Sequence, residues 1–175
     1  MPVEVNVEAA QWGDPAAMIE SAVGATLRHL GHDPAAFEVS VLACDDARIR
    51  TLNAQFRGQD RPTNVLSWPA EDLSAETAGG LPGPPAPGTA DDPSELGDIA
   101  LAHETCAREA AEQGKRLPDH AAHLVVHSVL HLLGYDHEHS EDGHLMEKTE
   151  TAILAQMGIT NPYEALDGPV DAVEP

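Results

Sequence analysis

The residues best placed to do chemistry lie in one segment, HAAHLVVHSVLHLLGYDHEHS, which begins at His120. His127 and His131 are four residues apart, so a helix would set them on one face about a turn apart. Gly134 lets the backbone leave such a helix through a left-handed turn, after which His137 can approach the same point from a third direction. Three neutral imidazoles on a tetrahedral Zn2+ leave the fourth position open to water, the arrangement of a catalytic rather than a structural zinc. Structural sites are usually closed by four protein ligands, commonly thiolates, and neither Cys44 nor Cys106 is near in sequence. The spacing therefore predicts one Zn2+ per chain, held by His127, His131 and His137.

The same spacing matches the H-E-x-x-H-x-x-G-x-x-H pattern of metzincin proteases, with one decisive difference. Ser128 stands where those proteases need a glutamate as general base, and a serine cannot take a proton from zinc-bound water near neutral pH. His123, one turn before His127, could support a ligand or line the cleft. Asp136 could orient an imidazole, or be an exposed turn residue. For His120, His139 and His144 the expectation is a solvated surface.

A second patch is Phe56-Arg57-Gly58-Gln59-Asp60-Arg61-Pro62-Thr63-Asn64-Val65-Leu66-Ser67. It gathers two arginines with hydroxyl and amide donors around a turn entering a strand. A guanidinium there could clamp a phosphate by paired hydrogen bonds, with Arg61 and Asn64 as further substrate contacts. A tight turn with solvated charges is the plainer reading of the stretch by itself.

The elements that must position these groups follow from pattern and punctuation. Val3, Val5 and Val7 alternate as in a half-buried strand, and Asp14-Pro15 opens a helix reaching about Leu30, with Pro at its first position. Phe37 to Leu42 reads as a strand. Asp45 and Asp46 can cap a helix with Ile49, Leu52 and Phe56 on one face, ended by Gly58. Thr63 to Trp68 and Glu95 to Leu101 are further strands. His103 to Gln113, Leu117 to about Leu133 and Glu141 to Met157 are helices, the last turning Leu145, Ile153 and Leu154 inward. Residues 70–94, with GGLPGPPAPG, can form neither helix nor paired strand and read as a long flexible insertion within one domain, 1–163. Residues 164–175 read as an acidic, disordered tail. The order of elements gives an α+β fold: a small mixed four-stranded sheet packed with about five helices, one of them a zincin-like metal helix.

Composition bounds the setting. Two distant cysteines make no disulfide framework, and the amino terminus lacks the features of a secretion signal. No apolar run is long enough for a membrane span. The expectation is a cytoplasmic protein. The net charge is −21, with 30 acidic residues against nine basic ones. Phosphate binding draws on Lys and Arg, yet four of the nine basic residues (Arg48, Arg50, Arg57 and Arg61) fall in one short stretch, so charge neither establishes nor excludes an RNA substrate.

Taken together, FRGQDRPTNVLSWP, LGDIAL and HLVVHSVLHLLGYDH closely resemble the YbeY family of bacterial endoribonucleases, which are rRNA maturation factors. The similarity runs from about Phe37 to Tyr163. It implies a single-domain zinc enzyme that cleaves single-stranded RNA, matures the 3′ end of small-subunit ribosomal RNA and serves ribosome quality control. Its partners would be ribosomal RNA and ribosomal particles, with no membrane and no DNA. By the same likeness His127, His131 and His137 are the metal ligands and Arg57 is the catalytic arginine. Ser128 replaces the glycine usual in the family, a small-for-small exchange, and the 70–94 loop is long and Pro-rich. Two other classes share these residues: a zinc peptidase of metzincin-like ligand geometry, and a non-catalytic ribosome assembly factor braced by zinc. The nucleophile, either water or the RNA 2′-hydroxyl, is left open by the sequence.

Overall fold

The structure is a computed structural model that describes residues 3–75, 77, 79–136 and 140–159. The alternating valines form β1 (Val3–Val7), and β2 (Phe37–Cys44) runs two residues beyond the expected end at Leu42. With β3 (Val65–Pro69) and β4 (Ser94–Ala102) they make one sheet of order β1-β2-β4-β3. β1, β2 and β4 are parallel, and β3 lies antiparallel to β4 at one edge. The sheet is therefore mixed and four-stranded, as expected. Five α-helices are described: α1 (Ala16–His29), α2 (Asp46–Arg57), α3 (His103–Glu112), α4 (Leu117–Leu132) and α5 (Ser140–Gln156). Pro15 turns out to be the N-cap of α1 rather than its first residue. The Asp45 carboxylate caps α2 as predicted, accepting the Arg48 N–H at 2.8 Å.

The strands' period of two divides the interior into two apolar layers. Val39, Val41, Ala43, Ile99 and Leu101 belong to the larger, packed with Ile19 and Leu27 of α1, Val125 and Val129 of α4, and Ile153 and Leu154 of α5. Leu42, Cys44, Ala100, Ala102, Leu66 and Trp68 belong to the smaller, under Ile49 and Leu52 of α2. At Gly97 the backbone of β3 and the Leu132 side chain of α4 come so close that a Cβ would meet the Trp68 carbonyl oxygen at 2.2 Å. That glycine allows α4 to settle tightly on the β3–β4 pair.

Two expectations about side chains change, and one helix face proves only partly covered. Phe56, on the same face as Ile49 and Leu52 but in the last turn of α2, is 57% exposed. Its ring meets Trp68 of β3 edge-on at 5.8 Å. In α5 Ile153 and Leu154 are buried as expected, but in the earlier turns Met146 is buried while Leu145 is only half-buried. His120 is 3% exposed, in the first turns of α4, rather than solvated.

Between β3 and β4 the chain has no helix or strand among its described residues. Backbone hydrogen bonds join Gly83 N–H to the Leu73 carbonyl and Gly88 N–H to the Ala36 carbonyl. Gly79 N–H donates to the Asp142 carboxylate of α5 at 2.7 Å. Residues 164–175 lie outside the described residues, and no described helix is long and apolar enough to cross a membrane.

Cys44 and Cys106 are fully buried thiols with no disulfide, and burial is the main cause that pushes each pKa up to about 12. We expect neither to react with Ellman's reagent in the folded protein at about pH 8, and both to react after denaturation. Prompt labelling of either thiol in native buffer would contradict this packing.

Candidate functional site

The helix that carries the histidines is defined at both ends. Pro118 occupies its first turn and Asp119 places a negative charge at the positive end of the helix dipole. At the other end Tyr135 N–H bonds the Leu130 carbonyl and Gly134 N–H bonds the His131 carbonyl, the paired bonds of a Schellman turn. Gly134 has φ +99°, and a Cβ there would meet the Leu73 carbonyl oxygen at 2.4 Å. Glycine is thus required twice, for the turn and for the close approach of the loop after β3.

This turn brings the Tyr135 carbonyl back over the helix end, where it accepts a hydrogen bond from His131 Nδ1 at 2.9 Å. One helical turn earlier, His127 Nδ1 donates to Glu150 Oε2 of α5 at 2.6 Å. A carbonyl and a carboxylate can only accept, so both Nδ1 atoms carry protons. In the neutral rings both Nε2 atoms therefore carry lone pairs, and these face each other at 3.1 Å. Two lone pairs at that distance repel unless a cation lies between or beside them. Two nitrogens bound tetrahedrally at zinc–nitrogen distances of about 2.0–2.1 Å would be roughly 3.3 Å apart. The donor set and its spacing fit a divalent metal. His137, the third ligand expected from the sequence, lies outside the described residues.

His123, His127 and Glu150 also bring donor atoms within 4.8 Å of one another, a grouping that could hold an ion. Each Glu150 oxygen, however, accepts from an imidazole: Oε1 from His123 Nε2 at 2.8 Å and Oε2 from His127 Nδ1. A metal in that position would have to displace both protons, whereas one on the Nε2 side of His127 and His131 leaves them in place. We therefore read Glu150 as the group that orients His127. Its side chain is fully buried. Burial alone would raise its pKa, but the hydrogen bonds from His123 and His127 outweigh it and hold the carboxyl at about 2. For His123 burial is the stronger influence and lowers its pKa, which favours a neutral ring donating to an ionised carboxylate.

The face of this centre opens on a cleft of about 760 Å3. One wall is α4 and its exit turn, with His127, Ser128, His131 and Asp136. Another is edge strand β3 with Asn64 before it, and the loop after β3 adds Glu71, Asp72 and Leu73. Ser128 is 1% exposed, and its Oγ has no hydrogen-bond partner. Arg57 also lines the cleft although its helix lies on the opposite side of the sheet. It reaches the free edge of β3, where Nη2 donates to the Ser67 carbonyl at 2.8 Å. Arg57 and Asn64 thus meet His127 and His131 in one cleft, whereas the Arg61 side chain is exposed on the preceding turn and does not line it.

Sequence reasoning missed three residues. Glu150 carried no local signal, being 23 positions from His127. Glu109 of α3 accepts from Asn64 Nδ2 at 3.0 Å and from His120 Nε2 at 2.9 Å, linking three elements. The burial of His120 could have been anticipated, since His120, His123 and His127 follow the i, i+3, i+7 spacing of one helix face.

Comparison with known proteins adds a family to this geometry. Residues 5–158 match the family model described as Endoribonuclease YbeY. The chain is 58% identical to an endoribonuclease YbeY of Dinoroseobacter shibae over 93% of its own length and 90% of the relative's. It is 53% identical to one of Jannaschia sp., covering 93% of this chain and all of that protein. The solution structure of TM1509 from Thermotoga maritima superposes with a TM-score of 0.54 at 20% identity, over 89% of this chain and 91% of that one, a likeness of fold.

The orienting role of Glu150 has a direct consequence. In Glu150→Gln one amide oxygen replaces two carboxylate acceptors, so one imidazole N–H faces an NH2 group. Affinity for Zn2+, measured by competition with a chromophoric chelator, should fall about 10- to 100-fold while the far-ultraviolet circular dichroism is unchanged. Wild-type affinity in a folded Glu150→Gln protein would remove Glu150 from this role.

Proposed function

The chain belongs to the Endoribonuclease YbeY family, and on that premise we propose that it is a zinc-dependent endoribonuclease that cleaves single-stranded RNA. The observation that supports this best is the pair of Nε2 lone pairs of His127 and His131 facing one another beside a guanidinium in a shared cleft. His127, His131 and His137 would hold the ion. Bound there, it would supply a Lewis acid and lower the pKa of coordinated water toward neutrality.

The chain's own residues would do the rest. Arg57 is fixed by the Ser67 carbonyl through one nitrogen, which leaves further N–H donors of its fork for a phosphoryl group. Such sites work mainly by stabilising charge that grows on the phosphoryl oxygens. Asn64 would contact the strand beside that phosphate, and Arg61, exposed on the preceding turn, would meet RNA before it enters the cleft. Glu150 and the Tyr135 carbonyl would keep both imidazoles in the tautomer that offers Nε2. Family membership further suggests maturation of the 3′ end of small-subunit ribosomal RNA, ribosome quality control, contact with ribosomal particles and a cytoplasmic setting.

The test is to incubate the purified protein with precursor small-subunit ribosomal RNA, with and without a chelator, and to map the ends. Chelator-sensitive cuts near the 3′ end support the proposal, and an intact precursor in both arms refutes it. A 2′,3′-cyclic phosphate at the new ends would identify the RNA 2′-hydroxyl as the nucleophile. Two variants should separate binding of the ion from catalysis. Arg57→Ala should retain one zinc per chain and lose cleavage by roughly 100-fold or more, on the scale seen when one donor to a developing charge is removed. His131→Ala should lose both zinc and cleavage, as read by elemental analysis alongside the RNA assay. Undiminished cleavage by Arg57→Ala would exclude that side chain from the chemistry.

A further inference from the structure

We propose that Glu109 is a positioning residue for sugar recognition: it holds the Asn64 amide so that its Oδ1 is offered to the cleft as an acceptor for a ribose 2′-hydroxyl. The inference rests on the endoribonuclease reading above and specifies how a strand would be recognised as RNA.

The backbone of Asn64 is fixed first. Its carbonyl accepts the Ala102 N–H at 3.0 Å and the Cys106 thiol at 3.6 Å, which pins the entry to β3 against β4 and α3. The side chain is fixed next. Asn64 Nδ2 donates to Glu109 Oε1, and the same oxygen accepts from His120 Nε2, a ring almost wholly buried in α4. Burial works to raise the Glu109 pKa, but the hydrogen bonds from His120 and Asn64 prevail and hold it below its usual value. An ionised carboxylate has no proton to give, so the amide must turn its NH2 group toward Glu109 and its oxygen away. His120 keeps the carboxylate in the rotamer that does this.

The chemistry of a nucleic-acid strand then limits the partner. Phosphate oxygens accept hydrogen bonds and cannot pair with another acceptor; in this cleft they belong to Arg57. The donor nearest a phosphate along an RNA chain is the 2′-hydroxyl of the adjoining ribose, and it is the group that separates RNA from DNA. Asn64 lies in the same cleft as Arg57, so a single nucleotide can present its phosphate to one and its hydroxyl to the other. Base N–H groups are also donors, and they are distinguished by leaving the base unchanged while the sugar is varied.

The experiment measures binding of the zinc-loaded protein, by fluorescence anisotropy, to three labelled oligouridylates that differ only at the 2′ position: hydroxyl, fluoro and hydrogen. A denaturing gel follows cleavage of each probe, and affinities are taken from the readings that precede it. The 2′-fluoro strand keeps an RNA-like sugar but cannot donate. Wild-type protein should bind the hydroxyl strand about fivefold more tightly than the fluoro or deoxy strands, the size of one ordinary hydrogen bond. In Glu109→Gln the amide partner of Asn64 can itself donate, so Asn64 can flip; in Asn64→Leu the acceptor is gone. Both variants should bring the three affinities to within about twofold by weakening the hydroxyl strand alone, and the double variant should lose nothing more. A purely structural role for Glu109 would weaken all three strands together, and that result overturns the proposal. So does a wild-type protein that binds the three strands equally, which would assign the contact to a base. Should Glu109→Gln fail to fold, Asn64→Leu still tests the acceptor that Glu109 would hold, and equal weakening of all three strands by that variant overturns the proposal. A wild-type protein that neither binds nor cleaves the hydroxyl strand overturns the endoribonuclease reading and this proposal with it, whereas one that cleaves it without discrimination overturns only this proposal.

Discussion

An ionised carboxylate in the middle of a protein is the constraint around which this structure is arranged. Glu150 is fully shielded from water, and an unpaired charge in such a place would cost several kcal/mol, enough to undo a small domain. It is tolerated because both oxygens accept from imidazole N–H groups on the facing helix. The bond from His127 chooses that ring's tautomer and directs its Nε2 toward His131, and the two bonds together tie α5 to α4. Stability and an affinity for metal would thus be linked through one side chain: the N–H that satisfies the buried Glu150 carboxylate is the one that leaves a lone pair on the far side of the ring.

The sheet solves a second problem, how to place a guanidinium next to that centre without burying it. β3 is an edge strand, so Arg57 can come from the opposite layer, pass the strand's open side and anchor on the Ser67 carbonyl. Alternation along β3 separates the roles. Leu66 and Trp68 belong to the apolar layer under α2, while Val65 belongs to the larger core and Ser67 lines the cleft. An arginine on α4 itself would have had to compete for the same small volume as the two histidines and would have repelled their cation.

What could be read in the sequence was whatever is encoded within about one turn of helix or one pleat. The i, i+4 histidines, the glycine three residues later and the valine alternation in β1 all state their geometry locally, and the structure bears out the helix, its exit turn and the mixed sheet. Glu150 and Glu109 were illegible for the opposite reason. Each acts on partners 11 to 45 positions away, and in a chain with 30 acidic residues nothing marks these two as the ones whose charge is satisfied internally. Phe56 shares a face with Ile49 and Leu52, but helical periodicity does not say how far along the helix that face is covered. The burial of His120 was legible in its i, i+3, i+7 spacing with His123 and His127, but its partner Glu109 was not.

The acidity of the chain poses the remaining question, and the choice of ligands answers it. Among the described residues that line the cleft, three carry carboxylates, Glu71, Asp72 and Asp136, against the single guanidinium of Arg57. Such walls repel a phosphodiester, since screening at physiological salt leaves charges within about 8 Å of each other strongly coupled. Neutral imidazoles add no charge of their own, so a divalent ion held by His127 and His131 would keep both of its positive charges. Thiolate ligands would have cancelled them. Counted formally, three negative charges and one positive from the walls would be balanced by two more from such an ion, and the cleft would become neutral where a phosphate would enter. On this reasoning a polyanion would approach more readily once a divalent ion had bound, and histidine ligands would make an acidic cleft compatible with RNA.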